Sequence, residues 1–356
     1  MSAVKTARRA QAAPHTAARL SWRGWSVLWR PRAVLASAAV VLAALGFALV
    51  QLGVGDYPMS PGEVLATLTG NRGAAQEFVI FDLRLPRLLT AGLVGLALGA
   101  SGAIFQSVTR NPLGSPEIMG FTMGASAGAV AMVLVFGGQE GSGMAGALIG
   151  GFATAATVYG LAHRRGIQGF RLILVGVAAT ALLDSLISYL LLRARLQDAE
   201  SAYTWLVGSL NGADWQQVQI IGLTVCLMIV PVLAIGSQMR LLEMGDDLAQ
   251  GLGVRVKPTR MRLLVIGTVL CAGAVATAGP IAFVALAAPQ IMRRLTGGSV
   301  SIVPAALMGA LILIVSDLAA QRVWPDSQMP VGIPTLCIGG TYLAWLLYQQ
   351  SRASRL

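Results

Sequence analysis

The chain has 356 residues, of which 55% are hydrophobic and 12% charged, and its mean hydropathy is +0.70. Soluble domains carry about 25% charged residues, so the composition excludes a water-soluble globule and makes a bilayer the natural solvent. The formal net charge of +11, from 26 Lys and Arg against 15 Asp and Glu, reads as basic loops between apolar runs rather than as a nucleic-acid surface.

Residues 1–32 hold seven basic side chains and form a basic tail. A basic start before an apolar run is also the pattern of a secretory signal, but this run is long and lacks a small-x-small cleavage site. The twin arginine in TARRAQAAP has no hydrophobic follow-on. The run is therefore read as a retained first span. A membrane-crossing helix takes roughly 17 to 25 mostly apolar residues. Ten such segments lie at about 33–53, 88–108, 117–137, 144–162, 169–192, 216–237, 261–279, 281–296, 302–321 and 331–349. They make 33–349 an all-α polytopic transmembrane domain, followed by a tail at 350–356. The eighth is short and opens at Gly279-Pro280, as a bent pair of half-helices would.

An even number of crossings places both termini on one face. Arg72, Arg84, Arg87, Arg193, Arg195 and Arg322 fall on the other, and the remaining basic residues mark the terminal face as cytoplasmic. The second span carries Gly92, Gly95, Gly99 and Gly102 at helical spacing, a small-residue face of the kind that lets membrane helices approach. Arg110-Asn111-Pro112 closes that span, and Pro112 with Pro116 forces a turn. Spans two to five and seven to ten start from opposite faces, the topology of an inverted repeat.

The longest internal cytoplasmic segment, about 238–260, contains LLEMGDDLAQGLGV. Leu242, Glu243, Met244, Gly245, Asp246, Asp247, Gly251, Leu252 and Gly253 fall within it. The reading is a short helix with Leu242, Leu248 and Leu252 on one side and exposed carboxylates, suited to docking a cytoplasmic partner; an ordinary solvated loop is the alternative. On the outer face, Arg84 and Arg87 run against the charge bias, either to meet a partner or as an interfacial anchor or a pair with Asp82. YTWLVGSLNGADW places Trp205, Gly208 and Ser209 before the sixth span. Of the carboxylates within spans, Asp317 is expected to pair with Arg322. Asp184, beside Ser185 and Ser188, is expected to be hydrogen-bonded, with a polar cavity or proton relay as the other reading.

Cys226, Cys271 and Cys337 sit singly in apolar runs, and His15 and His163 stand alone. No disulfide framework or bare transition-metal site is indicated. There is no GxxxxGK[ST] and no catalytic constellation, so the chain is not an ATPase by itself.

RLPRLLTAGLVGLALGASGAIFQSVTRNPLGSPEIMGF, LLEMGDDLAQGLGV, AGPIAFVALAAPQIMRRL and MPVGIPTLCIGGTYLAWLL, in this order, resemble the membrane permeases of ABC-type iron-siderophore and cobalamin importers, the FecCD family. The resemblance implies a non-catalytic subunit that binds no cofactor, with ATP and Mg on a partner and iron carried only as a chelate of catecholate type. It implies a second, similar permease, two cytoplasmic P-loop ATPases, an extracytoplasmic siderophore-binding protein and no nucleic acid. Residues 242–253 then couple to the ATPase, Arg84 and Arg87 with Arg322 receive the binding protein, and Ala202 to Leu210 help gate the outer mouth of a path that Asp184, by its place within a span, could line. The Arg-Asn-Pro turn becomes framework at the cytoplasmic end. Two departures are Gln321, where a third docking arginine is expected, and Gln290, where the family usually has histidine. Same-fold importers of haem, cobalamin or hydroxamates, and an ion-coupled transporter working through Asp184, are the rival readings.

Overall fold

The computed structural model describes residues 18–22, 25–29, 31–70, 73–137, 142–162, 169–298, 301–323 and 329–353. Arg72, His15, His163 and most of the basic tail lie outside the described residues. Within that tail, β1 (Ala18–Trp22) pairs antiparallel with β2 (Trp25–Trp29), with Ala18 opposite Trp29 and Trp22 opposite Trp25. These are the only strands among the described residues, and the rest of the fold is helical.

α1 (Pro31–Gly53) begins on a proline, whose missing N–H costs nothing at a helix start. α2 (Pro61–Leu68) is fixed by Ser60 and Glu63, each accepting the other's backbone N–H in a reciprocal cap. α3 (Ala74–Glu77) runs through a π-helical stretch, Phe78–Arg84, into α4 (Leu85–Thr109), a continuous apolar rod of 36 residues. α5 (Phe121–Leu134), α6 (Ser142–Ala162) and α7 (Gly169–Arg193) follow. α8 (Leu196–Leu206) leads to α9 (Trp215–Glu243), which Asp214 and Gln217 cap reciprocally. The chain closes with α10 (Asp246–Gly251), α11 (Val256–Ala278), α12 (Val284–Thr296), α13 (Ile302–Arg322) and α14 (Gly332–Ala353).

Each of the ten sequence-predicted spans has a helix, but among the described residues only seven helices are long and apolar enough to cross a membrane by themselves. α5 and α12 are short because the chain ahead of each is unwound. Before α12 the residues Gly279 to Phe283 form one irregular turn, with φ of 70° at Gly279 and 66° at Phe283, rather than a first half-helix. α9 also runs further than expected, so the polar connection to α11 shrinks to residues 244–255 around α10.

α4 is the core of the bundle, buried along almost its whole length, and it packs most extensively against α13. The glycine face explains how. A Cβ at Gly95 would stand 2.4 Å from the Gly309 carbonyl oxygen, one at Gly99 2.3 Å from that of Ala305, and one at Gly102 1.7 Å from that of Ala285. Three of the four predicted glycines thus bring backbones into contact, while Gly92 faces only Ile314 at 3.9 Å. α5 and α6 use Gly124, Gly128, Gly146 and Gly150 in the same way. By contrast α1, α7 and α9 leave most of their apolar side chains uncovered, surface that belongs in lipid or against another membrane subunit.

Candidate functional site

At the end of the bundle where α4 begins, Arg84 and Arg87 do not share a role. Arg84 donates to the carbonyl oxygens of Leu52, 2.6 Å, and Tyr57, 2.7 Å, satisfying backbone left open at the end of α1. Arg87 makes a forked contact with Asp317 through Nε, 3.0 and 3.2 Å, and Nη2, 2.8 Å. Asp317 is completely buried and also accepts from Gln51 Nε2 at 2.6 Å and Gln321 Nε2 at 2.8 Å. The expected Asp317–Arg322 pair does not form, and neither arginine pairs with Asp82. The reason is helical phase: five residues on, Arg322 is rotated by about 140° from Asp317, whereas Gln321 at i+4 lies on the same face. Gln321 thus has a structural task in this chain, and Arg322 stands exposed.

A cavity of about 480 Å³, open on one side, lies between α5, α7 and the start of α14. α5 contributes Thr122 and Ser126, α7 contributes Thr180 and Asp184, and Pro280, Gly332 and Leu336 close other sides. Asp184 is exposed to this space and has no hydrogen-bond partner among the described residues, so the hydrogen-bonded structural carboxylate expected there is replaced by a cavity-lining one. Trp205, Gly208 and Ser209 stand beside the cavity rather than in its wall, which their neighbours Leu206 and Val207 supply. Trp205 packs against the cluster of Ala125, Cys271 and Val275. Gly208, at φ 77°, accepts the Gly332 N–H at 3.1 Å, and the Ser209 N–H donates to the Ala278 carbonyl at 2.9 Å. These two residues clasp the end of α11 to the start of α14.

The cavity has a second carboxylate, Glu117, which the sequence reading passed over. It lies in the non-helical segment 110–120, and its Oε1 accepts the Phe283 N–H at 3.1 Å. That segment rises into the bundle: Met119 Cα lies 2.5 Å from where a Cβ on Gly176 would sit. Gly176 is already about 10 Å along α7 from its start at Gly169. This entry of irregular backbone, buried at residues 114–116 and 119–120 and facing the cavity at Glu117, shortens α5. The signal was present in the two prolines, 112 and 116, ahead of an apolar run.

At the end where α4 stops, Arg110 takes a left-handed conformation, φ 50° and ψ 34°. Its Nε and Nη2 donate to the Leu242 carbonyl at 3.1 and 2.9 Å, and Nη2 also reaches the Asp246 carboxylate. Asp246 in turn accepts from Arg260 Nη2 at 2.9 Å. Beside them Gln290 Nε2 donates to Gln106 Oε1 and, at 3.3 Å, to the Pro112 carbonyl, around a polar pocket of about 300 Å³ that Glu243 and Arg293 also line.

The expected 242–252 helix is divided. Leu242 and Glu243 finish α9, Gly245 breaks the helix at φ 122°, and α10 starts at Asp246 and ends at Gly251. Leu242 is therefore buried on the inner side of α9, while Met244, Leu248 and Leu252 are exposed together with Asp247. Gly253, at φ 85°, turns the chain back, and the Val254 N–H bonds the Ala249 carbonyl at 2.9 Å. Among the described residues no group of three His, Cys, Asp or Glu is placed to hold a metal ion.

Seven helices able to cross a membrane among the described residues, with a partly polar cavity walled in part by unwound backbone, are the architecture of a polytopic membrane protein of permease class. The FecCD transport family model matches residues 41–349. The chain is 44% identical over 84% of its length to the ferric enterobactin transport system permease protein FepG of Escherichia coli (strain K12), covering 91% of that protein. It is 38% identical over 84% of its length to the achromobactin transport system permease protein CbrC of Dickeya dadantii (strain 3937), covering 87% of it. A solved metal-chelate type ABC transporter in an inward-facing conformation superposes with a TM-score of 0.79 at 29% identity, over 88% of this chain and 98% of that one. The chain belongs to the FecCD transport family and is a multi-pass permease of the ABC type.

Proposed function

We propose that the chain is one of two permeases in an ATP-driven importer of ferric siderophores, with ferric enterobactin or a similar catecholate chelate as cargo. The observation that carries the substrate is the 44% identity to the ferric enterobactin permease across 84% of the chain. The Arg110 end and both termini face the cytoplasm. There the exposed Met244, Leu248 and Leu252, with Asp247, meet one of two P-loop ATPases that supply ATP and Mg. At the other end Arg322 receives an extracytoplasmic siderophore-binding protein on a platform that Arg84 and Arg87 hold rigid. The cavity beside Asp184 and Glu117 belongs to the path, iron crosses it only as its chelate, and the chain itself binds no cofactor and catalyses no reaction.

The test is uptake of ferric enterobactin by vesicles containing this chain with its partner permease and ATPase. The expected outcome is uptake that needs ATP on the ATPase side and survives collapse of the proton gradient, with Asp184→Asn changing the rate by a few-fold at most. Preference for a ferric hydroxamate, haem or cobalamin would redirect the substrate. Uptake driven by a pH gradient without ATPase, and abolished in Asp184→Asn, would replace the importer by an ion-coupled carrier.

A further inference from the structure

We infer that Arg110 is a positioning residue that transmits movement of α10 to the inner wall of the path; this rests on the reading of the chain as an importer whose ATPases act on α10. Arg110 and Phe283 are the only non-glycine residues with positive φ among the described residues. The segment that starts at the first is bonded to the second, through Glu117 and the Phe283 N–H at 3.1 Å. A side chain rarely holds the left-handed region unless its surroundings fix it. The surroundings here are specific.

The Arg110 guanidinium holds the Leu242 carbonyl, at the end of α9, with two donors and the Asp246 carboxylate, at the start of α10, with one of them. Arg260 ties the same carboxylate to α11. The backbone of Arg110 meanwhile closes α4, its N–H reaching the Ser107 carbonyl at 3.2 Å. Displacing α10 therefore displaces the start of segment 110–120. A flexible linker would absorb the shift, but this segment is braced internally. Asn111 Oδ1 accepts the Leu113 N–H at 2.9 Å, and Gln290 holds the Pro112 carbonyl at 3.3 Å. Its far end is wedged at Met119 against Gly176 of α7, and Glu117 lines the cavity. One arginine thus joins the exposed cytoplasmic helix to the element that forms part of the path and bears on α7, which contributes Asp184.

Coupling between the two ends of this set of contacts is read directly as transport per ATP. In vesicles holding the full transporter, chelate imported per ATP hydrolysed is measured for wild type, Arg110→Ala, Arg110→Lys and Asp246→Asn, together with the amount of ATPase that co-purifies. The expected result for Arg110→Ala is a normal amount of ATPase and continuing ATP turnover, with at least a tenfold fall in chelate moved per ATP. Lysine is a point charge that reaches Asp246 without forking onto the Leu242 carbonyl, so Arg110→Lys should recover part of the loss. Arg110→Ala and Asp246→Asn combined should lose less than the product of their separate effects, because both cut one contact.

An unchanged ratio in Arg110→Ala overturns the proposal. So does a loss of transport that merely follows a loss of bound ATPase. If Arg110→Ala does not accumulate in the membrane, the ratio in Arg110→Lys decides: a fall supports the proposal and an unchanged ratio overturns it. Failure of the wild-type chain to retain the ATPase or to use ATP would instead remove the importer reading itself.

Discussion

Single residues divide the charged side chains of this permease into those spent inside the bundle and those offered outside it. Arg87 and Asp317 are the clearest case, because Asp317 has no solvent exposure and, among the described residues, takes its hydrogen bonds from Arg87, Gln51 and Gln321. Removing one member of a buried pair strands the other and costs about 3–5 kcal/mol, whereas neutralising both is much milder. Arg87→Met should therefore lower the thermal unfolding temperature in detergent sharply, and Arg87→Met with Asp317→Asn should recover most of the loss, since asparagine still meets the two glutamines. Equal stability of single and double variants would contradict this assignment. The sequence showed that both residues were unusual but mispaired Asp317 with Arg322. Spacing along a chain reports neighbours on one helix, and the true partner lies 230 positions away on another. Glu117 was hidden for a related reason: its importance comes from the Phe283 N–H, which local sequence does not place beside it.

Helices follow a simpler logic, and more of it was legible. A helix at each of the ten predicted positions, seven of them long and apolar enough to cross a membrane, the turn after α4 and three of the four glycines of its small-residue face could be read from apolar length, proline and glycine spacing. The late start of α5 was legible only in part: Pro112 and Pro116 announce a break after α4, but not how far into the apolar run the unwound backbone extends before the helix begins at Phe121. The glycine face makes a quantitative contrast. Gly102 lies so close to the Ala285 carbonyl oxygen that any Cβ would collide with it, whereas Gly236, inside α9, has nothing within 4 Å of that position. In open space alanine is the better helix former by about 1 kcal/mol. Gly236→Ala should be neutral or slightly stabilising, and Gly102→Ala should reduce the folded fraction by forcing α4 and α12 apart. Thermal unfolding of the two variants measures this, and similar midpoints would mean that the two backbones have room to move.

The proposed importer gives the whole molecule a different partner at each end, and because the docking groups named for them differ in chemistry, the two should respond differently to salt. At the Arg110 end the exposed groups of the 244–252 segment are chiefly apolar, Met244, Leu248 and Leu252, with Asp247 beside them. Burial of such groups in a partner's groove is driven by removal of apolar surface from water, at about 25 cal/mol per Å², and is little affected by ionic strength. At the far end Arg322 is exposed among charged residues that include Asp56, Asp82, Arg193 and Arg195, and Arg84 is held by backbone carbonyls. An acidic lobe docking there gains from steering and forked contacts, both weakened once the screening length falls to about 3 Å at 1 M salt. Raising salt should thus weaken the siderophore-binding protein while the ATPase stays bound. Arg322→Glu should lower binding-protein affinity at least several-fold at low salt, with the difference from wild type shrinking at high salt. Leu248→Glu with Leu252→Glu should release the ATPase at either salt concentration without altering insertion. Affinities measured on reconstituted transporter, with folded amount determined separately, decide between the two ends. A binding-protein affinity indifferent to both salt and Arg322→Glu would move that docking surface away from this arginine.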